Sequence, residues 1–142
     1  MRSVILLCFL AAGCSSDSTA PAKGITVDGQ WNATLVGSFT PGGSGVMSLT
    51  LAQKGTAVAG TGTFTDPTDP PAAIMTVSGS VVASTVALTL QVQPQVINGR
   101  IVDPNKAPMQ FAGTLTASTM NGTLNGGGPP SVAGVAVTFT RQ

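Results

Sequence analysis

Few side chains in this 142-residue sequence are equipped for chemistry. It has no His and no Tyr, and its five acids, Asp17, Asp28, Asp66, Asp69 and Asp103, leave no Glu. A Ser-His-Asp triad, a His-ligated zinc and a pair of Glu acids are therefore excluded. Only two thiols exist, Cys8 and Cys14, both inside the first fourteen residues. Asp66 and Asp69 sit three apart in "FTDPTDPPA". Such a pair suits Ca²⁺ with help from carbonyls, or a proton-transfer couple. Asp before Pro is also the signature of a turn in which the carboxylate caps its own backbone, and that reading is preferred here. The "NGGGPP" stretch at 125–130 is read as a loop and not a phosphate cradle, because no helix follows it. Asn-x-Thr triplets at Asn32 and Asn121 match a glycosylation pattern, yet each falls inside an expected strand. The expectation is a protein that is not an enzyme, with no catalytic residues, no metal and no cofactor.

The thiols find another use at the N-terminus. Val4 to Ala12 is an apolar run of nine residues behind Arg2, far short of the roughly 20 needed for a membrane-spanning helix. It reads as the core of a signal peptide. The run closes on Leu10-Ala11-Ala12-Gly13-Cys14, which resembles the lipobox of bacterial lipoproteins. That resemblance implies cleavage before Cys14, lipidation of Cys14, and a signal peptide spanning 1–13. Ala11 stands where the family prefers Leu, Val or Ile, with the leucine one step earlier; an ordinary secreted protein cut nearby is the competing reading. Ser15 following the cysteine implies, by the same resemblance, an outer-membrane lipoprotein facing the periplasm or the exterior. Residues 14–27 then form a flexible tether, of which the Ser-, Ala-, Thr- and Pro-rich part 15–24 has a reach of about 17 Å.

Once Cys8 is removed with the signal and Cys14 carries lipid, the folded part holds no thiol for a disulfide or a nucleophile. Its five acids balance Lys23, Lys54, Arg100, Lys106 and Arg141, so 5 − 5 leaves a net charge of zero. No basic surface exists to hold nucleic acid, and no polybasic patch to hold anionic lipid.

From Asp28 to the last residue, apolar positions alternate with Thr, Ser, Ala and Gln, broken by Gly and Pro clusters, and no helical period is sustained. An all-β domain over 28–142 follows, with strands near 28–39, 45–53, 56–64, 74–82, 85–93, 108–116, 119–125 and 132–141. "VSGSVVASTVALTL" (77–90) aligns without gaps on "FAGTLTASTMNGTL" (111–124), and 49–64 reads as a third hairpin turning at Lys54-Gly55. Hairpins in series make a meander, which must close or leave exposed edges. The expected fold is an eight-stranded antiparallel up-and-down barrel; an immunoglobulin-like sandwich is the main alternative. A membrane-spanning barrel is a lesser rival that lacks aromatic girdles. Strand parity turns Trp31, Ala33, Leu35 and Phe39 inward, then Met47, Leu49, Leu51, Val58, Phe64, Met75, Val77 and Val81. Val86, Leu88, Leu90, Val92, Met109, Phe111, Leu115, Met120, Leu124, Val135, Val137 and Phe139 complete the inward set. Gly60, Gly62, Gly79, Gly113 and Gly122 share that face, where a missing side chain permits strong coiling.

Gly29-Gln30-Trp31 at the head of the first strand and Arg141 at the end of the last resemble the calycin superfamily, the lipocalins and avidin-like barrels. There a G-x-W tryptophan is covered by a basic side chain from the final strand. The resemblance implies that Trp31 and Arg141 meet and close one end of the barrel. It is confined to the two termini and the strand count. With Trp31 as the sole tryptophan, biotin binding is not carried over; disulfides and the further lipocalin motifs are missing too.

By alternation, the short turns lie at the end where strand one begins, and the long loops 40–44, 65–73, 94–107 and 126–131 lie at the other. Loops on a rigid scaffold, and the mouths of barrels, are where binding usually occurs. The expected function is an interaction or structural module of the cell envelope, held to the membrane by lipid, whose loops meet an envelope protein. The alternative is a carrier of a small apolar ligand. Phe39, Phe64, Met75 and Met109, inward at the mouth, would either plug the barrel or line that ligand's site.

Overall fold

The computed structural model describes residues 24–36, 44–65, 72–97, 99–102, 107–127 and 132–142. These form ten strands: β1 (Gly29–Val36), β2 (Ser44–Lys54), β3 (Ala57–Thr65), β4 (Ala73–Val82), β5 (Thr85–Val92), β6 (Gln95–Ile97), β7 (Arg100–Val102), β8 (Met109–Leu115), β9 (Thr119–Gly126) and β10 (Val132–Arg141). Eight close into an antiparallel barrel in the order β1-β10-β9-β8-β5-β4-β3-β2, while β6 and β7 pair only with each other. The fold is therefore the up-and-down barrel. In a sandwich the first and last strands would be edges; here they pair, Trp31 opposite Arg141 and Asn32 opposite Thr140.

The closure follows from period-two patterning. In β2, Met47, Leu49 and Leu51 are buried while Val46, Thr50 and Ala52 face solvent. Every described member of the inward set is buried or packs, as Phe64, Val92 and Val135 do, against the buried cluster. Phe39 lies outside the described residues. Trp31, Phe111 and Phe139 are the bulkiest fully buried side chains, and the two phenylalanine rings meet edge to face at 5.4 Å and 85°. Each such burial contributes about 1.5–3 kcal/mol relative to exposure.

Glycine makes the tight bore possible. Gly113 of β8 lies opposite Gly122 of β9. A Cβ at Gly113 would stand 2.3 Å from the Asn121 carbonyl oxygen, and one at Gly79 2.1 Å from that of Ala87. No side chain fits there, so the strands coil more tightly than alanine would allow.

The repeat is legible in the ladders. Val81 pairs with Val86 in the first copy and Leu115 with Met120 in the second. The β2–β3 turn uses Gly55 at φ 62°, whereas the β4–β5 turn puts Ala83 at φ 54°, a conformation strained for a residue with a Cβ.

One expectation is corrected. Residues 94–107, read as a loop, contain the β6–β7 hairpin, with Val96 opposite Ile101 and Gly99 at φ 76° in its turn. "QVINGRIV" carries the reason: β-branched residues flank an Asn-Gly pair, which favours the tight turn a two-stranded ribbon needs.

Candidate functional site

At the short-turn end, the segment Gly24–Asp28 crosses the barrel bottom before β1 begins. Gln53 straps it down, its Oε1 accepting from the Val27 amide at 3.0 Å. The Gln53 amide in turn donates to Asp28 Oδ1 at 2.6 Å. Val27 is fully buried, and its carbonyl accepts the Trp31 indole N–H at 2.7 Å. Arg141 comes down over the indole, its guanidinium carbon 4.5 Å from the ring centroid. Its Nη1 donates to the Asp28 carbonyl at 2.9 Å and its Nη2 to the Thr26 carbonyl. The guanidinium thus ties three things together: the first strand, the last strand and the incoming segment. Parity extended across Gly29 reaches Val27, which shares its inward face with Trp31 and belongs to the barrel core, not to the tether expected over 14–27.

Toward the loop-rich end, Phe64 on β3 and Met109 on β8 occupy inward positions at the ends of their strands, and Met75 on β4 lies one inward position deeper, behind Ala73. Met75 is fully buried and Met109 nearly so, as members of the core; Phe64 is half-buried against it. The Phe64 ring lies over Gly45 of β2, where an added Cβ would come within 2.3 Å of it. Phe39, Asp66, Asp69, Asp103 and Lys106 lie outside the described residues, as does Cys14, so the carboxylate pair is not among the groups brought together here.

The wall between the two ends is chemically plain. Among the described residues, Asp28, Lys54 and Arg141 carry charge at the short-turn end, and the outward positions between the ends are Thr, Ser, Ala, Val, Ile, Asn and Gln. Cross-strand polar pairs take the place of ion pairs. Thr89 donates to Gln110 Oε1 at 2.9 Å and Thr138 to Asn121 Oδ1 at 2.8 Å. Each such pair contributes about 0.2–1 kcal/mol. No titratable cluster of the kind that marks a catalytic centre is gathered by these residues.

Two features stand out among the described residues, the clasp of Trp31 and Arg141 at the short-turn end and the apolar side chains at the loop-rich end. No family model matches the chain, and a search of curated proteins finds no match either.

Proposed function

We propose that the protein is a lipid-anchored envelope lipoprotein, held at the outer membrane through Cys14, whose barrel is a non-enzymatic interaction or structural module of calycin-like type. The observation that carries this reading is the polarity of the barrel. The described chain arrives at the short-turn end through the strap Gly24–Asp28, while the opposite end is where β1, β3 and β9 finish and where the β6–β7 hairpin follows β5. A tether attached at the first end directs the second away from the membrane, toward partners. The tryptophan covered by the last strand's arginine supports the calycin-like assignment, and the buried Met75 and Met109 favour a plugged mouth over an apolar binding site.

Two measurements test the proposal. Cys14→Ser should move the protein from the membrane fraction to the soluble fraction; retention equal to the parent would remove the anchor. Native mass spectrometry of protein purified from its own envelope should find the barrel empty of small molecules, with an envelope protein recovered through residues 94–107. A reproducible small apolar molecule, lost on substituting Phe64 or Met109, would replace the interaction module by a carrier.

A further inference from the structure

The strap Gly24–Asp28 is held differently from the strands. The β1–β2 ladder begins at Gly29, opposite Leu51, and among the described residues no main-chain-to-main-chain bond joins Gly24–Asp28 to the barrel. Five hydrogen bonds fasten it, and each has a side chain at one end. Gln53 Oε1 accepts from the Val27 amide, and Asp28 Oδ1 accepts from the Gln53 amide. The Trp31 indole donates to the Val27 carbonyl, and the two Arg141 donors reach the carbonyls of Thr26 and Asp28. Moving the strap aside would therefore break none of the strand-to-strand ladders.

The forces that hold the strap are nearly balanced. A hydrogen bond contributes, net, about as much as ordering the backbone of one residue costs, so the bonds of the strap and the ordering of its residues largely cancel. What remains is Val27, the one buried side chain of the segment; Gly24, Ile25 and Asp28 are exposed and Thr26 is half-buried. Against it stands a penalty at Arg141, whose Nε–H is buried and finds no acceptor among the described residues. Water could reach that group once the strap moved aside. Gly29 supplies the pivot. Its φ is 116°, a conformation side chains rarely adopt, yet a Cβ there would meet nothing within 4 Å. Glycine is needed at this point for the turn of the backbone from strap to strand, not for want of space.

We propose that Gly24–Asp28 is a latch, which swings out about Gly29 while the barrel stays closed, uncovers the Trp31 indole and the Arg141 guanidinium, and returns. With the latch shut the chain is fixed from Gly24 onward; with it open, from Gly29 onward. Opening therefore adds the span of the strap to the leash, at most about 18 Å. Chain order sets the latch between β1 and everything N-terminal to it, so a pull from that side reaches the latch before it reaches any ladder. In the anchored protein the latch governs how far the loop-rich end stands from the membrane. That consequence rests on the lipoprotein reading; the latch itself does not.

Hydrogen exchange on the full chain in detergent reads the latch, because the Val27 amide bonds to Gln53 Oε1 and belongs to no ladder. Trp31, the sole tryptophan and fully buried, reports its cover by fluorescence. In the parent the Val27 amide should be protected, yet exchange about tenfold or more faster than the slowest amides of the β1–β2 ladder, with little dependence on urea, as a local opening does. Exchange at the ladder's own rate and urea dependence would make the strap an integral part of the barrel, and an unprotected Val27 would mean that the strap is not shut in solution; either result overturns the proposal. Val27→Ser should speed exchange at position 27, corrected for intrinsic rate, by about tenfold or more, since the buried foothold is lost. Its Trp31 emission should move to the red while the ladder amides keep their parental rates; a ladder that speeds up by the same factor overturns the latch. Should that variant fail to fold, Gly29→Ala strains the backbone that the shut form requires and should speed Val27 exchange on its own. Unchanged exchange in that variant removes the pivot and the proposal with it. The anchor is read by a separate assay: retention of Cys14→Ser in the membrane fraction would leave the latch without its membrane role, whereas failure of the exchange pattern with the anchor intact rejects the latch alone.

Discussion

Removing Trp31 and Arg141, singly and together, measures how much the barrel depends on its clasp. Trp31 is fully buried and its indole N–H satisfies the Val27 carbonyl. Trp31→Ala should cost about 3–5 kcal/mol, as a large truncation in a packed core. Arg141→Ala removes the guanidinium 4.5 Å above the ring and its bonds to Thr26 and Asp28. The cation–π contact contributes about 0.5–2 kcal/mol. Each hydrogen bond adds about 1 kcal/mol at most, because Thr26 is half-buried and Asp28 exposed, so water replaces the lost donors. The sum, about 0.5–4 kcal/mol, centres at about 2 kcal/mol, below the centre of the range for Trp31→Ala. Because the two side chains touch, the double variant should fall short of additivity by about 0.5–2 kcal/mol. Equilibrium urea unfolding of the four proteins in the Cys14→Ser background reads these differences directly. Additive costs, or an Arg141→Ala loss as large as that of Trp31→Ala, would refute the clasp as an energetic unit.

Other sites give simpler expectations. Ala83→Gly should raise stability by about 0.5 kcal/mol, because relief of a left-handed alanine outweighs the entropy glycine adds to the unfolded chain; thermal unfolding by circular dichroism checks the sign. Gly113→Val must push a side chain into the Asn121 carbonyl and the Phe111 ring, so a loss of about 2–3 kcal/mol or more is expected, measured by urea midpoint. Val96→Thr, on a hairpin that shares no ladder with the barrel, should change the barrel's stability by less than about 0.5 kcal/mol in the same assay.

Strand parity carries most of the architecture, because one face of every barrel strand is apolar and the other is Thr, Ser or Ala. A slip of one residue in β5 would expose Val86, Leu88 and Leu90 together, so the inward face is legible from the residues alone. The contact of Trp31 with Arg141 was accessible only through the G-x-W resemblance and the geometry of a closed meander. Three things resisted. Val27 hid behind Gly29, whose lack of a side chain interrupted the alternation. The β6–β7 hairpin hid among prolines, although its Asn-Gly pair was visible. The short ladder of β1 with β10, given by the pairs Trp31–Arg141 and Asn32–Thr140, has no local signature, since the extent of a ladder depends on the twist accumulated around all eight barrel strands.

The strap at Gly24–Asp28 and the last residue Gln142 stand side by side, joined through Gln30. Polypeptide therefore comes and goes through one pole of the molecule. A circular permutant that linked 142 to 24 and opened the chain between 127 and 132 would retain every ladder of the barrel. The same folded body would then hang from its other pole. Which pole carries the ends of the chain is thus a matter of where the chain is cut, separable from how the barrel holds together.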